Sequence, residues 1–249
     1  MSFPNVIYGN DPEQYNTYTT KRWPLGTQMV FQDGRRFRFV KAGGTALVIG
    51  NVIQAPANVA NHVDLTAVAS ALGSNTPTVT LGNTAATLDQ YAEGYAVVSV
   101  TPDAGHAYKI KSNPAADGLA TLQLTLENQV VLIAAWTTTS RVDLIANPCN
   151  GVIQTPITTL TGAPMGVAVA AIAASSFGWI QFKGIAAVLT ANTISLGGTA
   201  WTPGTVAGAC EPIILVEGTP NTWVKQSLVG VVQRVAASTA WSALDLRME

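Results

Sequence analysis

The chain has 249 residues, of which 48% are hydrophobic and only 11% charged, and its net charge is −1. It is long enough to bury a sizeable core, and its charge is less than half the roughly 25% of an average soluble domain. So neutral a surface lacks the repulsion that keeps proteins apart, and much of it is expected to lie against other subunits.

The first 30 residues, with Pro4, Pro12 and Pro24, three tyrosines and no periodicity, read as the start of an extended arm that orders only against a partner. The opening MSFPNVIYGNDPEQYN has no basic start followed by an apolar run, so nothing marks it for secretion and synthesis in the cytoplasm is expected. Six of the thirteen basic residues (Lys21, Arg22, Arg35, Arg36, Arg38 and Lys41) fall within the first 41 positions, against three acids there, a net of +3. The remainder holds seven cations against eleven acids. Trp23, Phe31, Phe37 and Phe39 interrupt the basic run, which suits a half-buried strand and its anchor better than a nucleic-acid patch. For Arg35 and Arg36 an inter-subunit salt bridge is expected, because charge is otherwise scarce.

A boundary is expected where the basic segment gives way to KAGGTALVIGN and another near 156 to 166, dividing the chain into an arm (1–41) and two β domains (42–156 and 157–249). NHVDLTAVASALG suits either a short helix capped by Asn61 or a strand. From about residue 78 period-two alternation sets in. In GLATLQLTLE, Leu122, Leu124 and Leu126 face one way, and Thr121, Gln123, Thr125 and Glu127 the other, as in a half-buried antiparallel strand. Strands are predicted at 78–81, 95–100, 106–111, 130–136, 141–145, 151–155, 212–217, 228–235 and 244–248, with turn signals such as TPDAG, SNPAADG, ANPCNG, TGAPMG and TPNT between them. Met165 to Leu189, the most membrane-like stretch, is too polar to span a bilayer and reads as two strands joined by a turn. The fold class is therefore all-β: antiparallel sandwich or barrel lobes, two of them, behind an N-terminal arm.

Titratable groups do not converge in the sequence. No HExxH, GxSxG, P-loop, dinucleotide-binding or calcium-loop spacing occurs, and neither enzyme activity nor a cofactor or metal is expected. His106 lies three residues after Asp103 in the turn TPDAGH, where an aspartate commonly bonds backbone; a structural role is expected, as for His62. Cys149 and Cys210 are isolated and read as buried thiols. Trp179, Trp201, Trp223 and Trp241 would suit a sugar-stacking face, but tryptophans in β-rich chains more often fill cores and interfaces, and packing is favoured.

The order of segments from Tyr91 onward is informative: Gly94-Tyr95 and His106 to Ile110, then Asn147 to Ile153, then FGWIQFKGIAAV from Phe177 to Val188, then Gly198 to Gly208, and last Val229 to Leu246. This order and spacing resembles the capsid decoration (cement) proteins of tailed bacteriophages over about the last 160 residues. In AGHAY, His106 stands where that family usually has a small residue, and the first 40 residues match none of its motifs. The resemblance implies a structural virion protein on the outer surface of a phage head. Such a protein clips major capsid protein subunits together, commonly as a homotrimer, and does no chemistry. A head-fibre or receptor- or glycan-binding module of the virion is the rival expectation. Charge segregation points to Lys21, Arg22, Trp23, Arg35, Arg36 and Arg38 as the partner contact, meeting acidic capsid patches.

Overall fold

The computed structural model describes residues 5–157, 159–213 and 226–248. Among these, eighteen strands and two single 3-10 turns (Glu13–Tyr15 and Ala60–His62) fall into two units, one of residues 1–57 with 148–249, the other of residues 58–147. The first unit opens with β1 (Val6–Tyr8), β2 (Gln28–Val30), β3 (Arg36–Ala42) and β4 (Val52–Gln54). The second unit is inserted there, with β5 (Leu65–Ala67), β6 (Thr78–Thr80), β7 (Tyr95–Val100), β8 (Ala107–Ser112), β9 (Thr121–Gln123), β10 (Thr125–Leu126) and β11 (Arg141–Ile145). The chain returns to the first unit for β12 (Asn150–Gln154), β13 (Pro164–Ala168), β14 (Phe177–Thr190), β15 (Thr199–Thr202), β16 (Glu211–Pro212), β17 (Ser227–Arg234) and β18 (Ala240–Arg247).

In the inserted unit all seven strands pair antiparallel in the order β10-β8-β7-β11-β5-β6-β9. The two end strands are consecutive in the chain, joined by Leu124. Residues 121–123 pair with β6 and residues 125–126 with β8, so the sheet closes on itself as a small barrel without a free edge. The alternation in GLATLQLTLE sends Leu122, Leu124 and Leu126 inward with Val79, Val98, Ile110, Val142 and Leu144. Reciprocal backbone bonds between loops, Ala86 with Ala116 and Ser70 with Trp136, tie the connections together.

The other unit is built around the fourteen-residue β14. Its first half pairs with β3, which also pairs with β12; through β4 and β13 the sheet returns to β14, a closed ring. Its second half pairs with β18, followed by β17, β15 and β16, and a bridge from Thr190 to Cys210 brings the chain beside β16 back to the end of β14. The even positions of β14 point inward: Ile180 into the core of the first ring, Phe182, Ala186 and Val188 into the core of the second. On its odd face Phe177 and Trp179 join Met29, Phe31, Phe37 and Phe39 in a separate aromatic cluster. Gly178 lacks a side chain where Ile172 packs across it, and Gly184, at φ +83, leaves room for Arg35.

The all-β fold agrees with the sequence, and the stretch Met165 to Leu189 is two strands joined by a turn. Several details differ. The sheet is mixed, since β1–β2 and β3–β12 are parallel pairs. Residues 28–42 are not an arm: β2 and β3 are sheet strands, because Phe37 and Phe39 alternate with arginines and bury completely. The unit limits fall at 57/58 and 147/148 in place of 41 and 156, because β12 and β13 pair with β3 and β4 across the whole insertion. VVLIAAW at 130–136 forms no strand; it folds as a loop that buries Leu132 and Trp136 in the barrel core and pairs only at Trp136. NHVDLTAVASALG gives a 3-10 turn and then β5. The strand expected at 212–217 lies outside the described residues from position 214 on, as do the turn at 219–222 and Trp223. No helix among the described residues is long and apolar enough to cross a membrane.

Trp179 is fully buried where the aromatic cluster meets β14, so Trp179→Ala is expected to cost about 3–5 kcal/mol in urea denaturation, while the exposed Thr121→Ala changes stability by less than about 0.5 kcal/mol. Equal effects would contradict this placement of the core.

Candidate functional site

Strand β3 alternates Arg36, Phe37, Arg38 and Phe39, so the sheet's pleat sends the aromatic rings into the cluster and the arginines to the opposite side. The six residues singled out from the sequence are thereby divided among different tasks. Trp23 packs its ring 5.2 Å from both Phe39 and Trp179 and 5.5 Å from Tyr18, which anchors the N-terminal segment on β3 and β14. Lys21 and Arg22 precede it on the exposed surface, the Arg22 guanidinium 5.8 Å from the Tyr18 ring centre. Arg38 lies 4.2 Å over the ring of Phe182.

Arg35 finds its salt-bridge partners within its own chain. Its Nη2 donates to Asp11 Oδ2 at 2.7 Å and its Nε to Asp33 Oδ2 at 2.6 Å. The Asp11 carboxyl is held below its ordinary value of 3.8 by the Arg35 guanidinium and then by the amide of Gln14; that of Asp33 is lowered chiefly by the Arg35 backbone N–H. A carboxylate made more acidic by folding contributes to attachment above its ordinary value and loses that contribution as the pH falls through its lowered value. This pair therefore adds to the attachment of the N-terminal segment above about pH 4, and that contribution is lost as the carboxylates protonate in stronger acid.

Arg36 meets a neighbourhood that the sequence did not reveal. Its backbone is in register with Lys183 on β14, across the irregularity at 181–183, and Lys183 stands opposite Arg247 on β18. Asp245 lies 3.5 Å from Arg247, and together with Lys183 and Leu246 these residues line a hollow of about 290 Å³. Beyond Lys183 and Arg247, Ile185, Ala187 and Leu189 of β14 stand opposite Asp245, Ala243 and Trp241 of β18, so this strip carries one carboxylate, beside Ile185. Ile185 is 53% and Trp241 51% exposed. Alternation in KGIAAVL and WSALDLR does mark these outward positions, but only the pairing of β14 with β18 makes them one surface.

The other polar groups serve the two cores. Asp103, a buried carboxylate, accepts from Tyr108 Oη at 2.6 Å and Trp136 Nε1 at 2.8 Å, and its Oδ1 lies 2.8 Å from His106 Nδ1. Its partners are thus chiefly side chains, and it fixes the plug formed by residues 130–136 against β8. Burial, followed by the bond to Asp103, pushes the Tyr108 hydroxyl up to about 12, and burial alone does the same for Tyr91. His62 is fully buried; its Nε2 donates to the Thr84 carbonyl at 2.8 Å, and its Nδ1 therefore accepts from Tyr91 Oη. Cys149 and Cys210 are buried and form no disulfide, and burial pushes the Cys210 thiol up to about 12. Trp201 is half-buried, with its Nε1 bonded to Thr199 Oγ1 at 2.9 Å. Among the described residues, no group of three or more His, Cys, Asp or Glu gathers as for a metal ion.

The chain matches no protein-family model, no curated protein and no solved structure.

Removing the Arg35 charge is expected to free both acids. In Arg35→Gln the titrations of Asp11 and Asp33, followed by carboxyl NMR, move up towards 3.8, whereas unchanged titrations would show that the pairing does not persist in solution.

Proposed function

We propose that the chain is a structural protein of a tailed-phage head, a capsid decoration (cement) protein on the outer surface of the shell. On this reading it binds the major capsid protein and further copies of itself as a homotrimer, needs no cofactor and catalyses no reaction. The observation that carries the reading is the outward face of β14 and β18, where Ile185, Ala187, Leu189 and Trp241 stand side by side in a chain with very little charge. Closed and nearly closed sheets give such a face a rigid backing, which suits a contact surface better than a flexible one would. The order of segments that resembles decoration proteins supports the same reading. In mechanism, each copy adds buried area across seams between capsid subunits, so that expansion of the shell is opposed by many small contacts.

A head-fibre, receptor- or glycan-binding module is the second reading. Trp241 favours it, because an indole half-exposed on a flat sheet can stack on a sugar ring.

Purified chain added to undecorated phage heads is expected to bind at saturating, symmetric positions seen by electron microscopy and to raise the temperature of DNA release. Absence of binding would overturn the decoration reading, and binding to a glycan array that disappears in Trp241→Ala would put the second reading in its place.

A further inference from the structure

Among the described residues the two sheets leave one unguarded edge. The inserted barrel is closed, and the larger unit's sheet ends on one side in β16, which is two residues long and finishes in Pro212, a residue with no N–H to offer. On the other side it ends in β1, which pairs only with β2. Asn5 O accepts from Gln28 N at 2.8 Å and Gly9 N donates to Val30 O at 3.2 Å, so in this parallel pair Asn5, Ile7 and Gly9 turn their backbone groups towards β2. The N–H and C=O of Val6 and Tyr8 therefore face the other way, with no strand beside them, and these two residues are 44% and 87% exposed. Open edges are usually blunted by a lysine, a proline or a bulge. Residues 5–10, NVIYGN, contain neither a charge nor a proline, and β1 pairs with β2 without a register shift. Ile7 packs on the aromatic cluster but stays partly exposed.

We infer that the free side of β1 pairs with β1 of a second copy of this chain, antiparallel about a two-fold axis at Ile7, so that the two sheets become continuous. The register follows from which groups are free. Val6 meets the second copy's Tyr8, and Tyr8 its Val6, as hydrogen-bonded pairs that each exchange an N–H and a C=O bond, while Ile7 meets the second copy's Ile7 as a non-bonded pair on the axis. A shift of one residue opposes these free groups to groups already bonded to β2, and a shift of two leaves Val6 or Tyr8 without a partner in β1. The side chains match as well. A β-branched residue stands beside an aromatic one on one face, and on the other the two isoleucines cover each other where each aromatic cluster is still open. This self-match selects a second copy over an unrelated strand, because the same short run supplies both halves of every pair. So short a contact buries far less than the roughly 800 Å² per partner of a stable interface and is weak in dilute solution. It suits copies held side by side, where the effective concentration is high. In that use it rests on the decoration reading, as a two-fold link between neighbouring homotrimers; the pairing itself does not.

The test is sedimentation equilibrium of the full chain up to millimolar concentration, joined to mild oxidation of cysteine variants. The average mass is expected to rise with concentration through a doubling step, whatever the mass of the unit that doubles. That step weakens at least tenfold in Tyr8→Pro, which removes an outward N–H and leaves the bonds to β2 in place. Tyr8→Lys, which puts a charge on the edge, is the second variant if proline disturbs the strand. In Ile7→Cys the two thiols meet across the axis with Cβ atoms about 5 Å apart, and oxidation yields a disulfide-linked dimer. Val6→Cys or Tyr8→Cys alone links far less, because like positions stand roughly 7–8 Å apart in this register. The unaltered chain, whose Cys149 and Cys210 are buried, is the control. No doubling, doubling unchanged in both Tyr8 variants, or linkage of Ile7→Cys no greater than that of Val6→Cys and Tyr8→Cys would overturn the inference. Doubling that disappears in Trp241→Ala but persists in Tyr8→Pro assigns the contact to β14 and β18 and overturns it too. Tyr8→Pro that no longer binds heads, in a chain that shows no doubling, gives the edge to the shell and likewise overturns it. Heads decorated by a chain that does not double leave the decoration reading standing without the pairing; doubling by a chain that leaves heads bare does the reverse.

Discussion

One strand carries the larger unit. β14 supplies Ile180 to the core of one ring, Phe182, Ala186 and Val188 to the core of the other, and Phe177 and Trp179 to the aromatic cluster on its outer side. Three packing clusters thus share one continuous backbone, and strain introduced at any of them reaches the others through a chain that cannot shift by one residue without exchanging its faces. The glycines within it are part of this constraint. Gly178 admits Ile172 from a crossing loop, and Gly184, in a left-handed conformation beside the register shift at 181–183, accommodates Arg35 as the strand passes from one ring to the next.

The scarcity of charge gives each ionic group a definite task. Arg35 draws Asp11 and Asp33 together and holds the N-terminal segment, which Trp23 also pins through its contacts with Phe39 and Trp179. Arg38 rests on Phe182, and the buried Asp103 holds Tyr108 and Trp136. On β18, too, opposite charges meet: Asp245 lies 3.5 Å from Arg247, with Lys183 in register beside Arg247 on β14.

The inserted unit solves the edge problem differently. Its sheet closes because one short run, residues 121–126, serves both ends, and the loop at 130–136 supplies Leu132 and Trp136 to the interior in place of further strands. A buried carboxylate is costly without partners, and here an indole N–H, a phenol and an imidazole surround it, so the plug is fixed by direction as well as by apolar burial.

The sequence by itself determined the strand class, the position of most strands and, around 106–111, 121–127 and 244–248, which side chains share a face, because alternation is local and every residue in a pleated strand reports its own side. It also marked Trp179 as a packing anchor and the basic run as a half-buried strand. It misplaced VVLIAAW as a strand, since an apolar run of seven looks alike whether it is a strand or a plug over a core. It placed the unit boundaries wrongly because the pairing of β3 and β4 with β12 and β13 spans about a hundred intervening residues and leaves no local trace. For the same reason the candidate surface was only partly legible: Arg36 was identified through its charge, but Lys183 comes into register with it only through the pairing of β14 with β3, and Arg247 and Trp241 come beside Lys183 and Leu189 only through the pairing of β14 with β18. Alternation sets which way a side chain points; tertiary pairing decides what stands beside it.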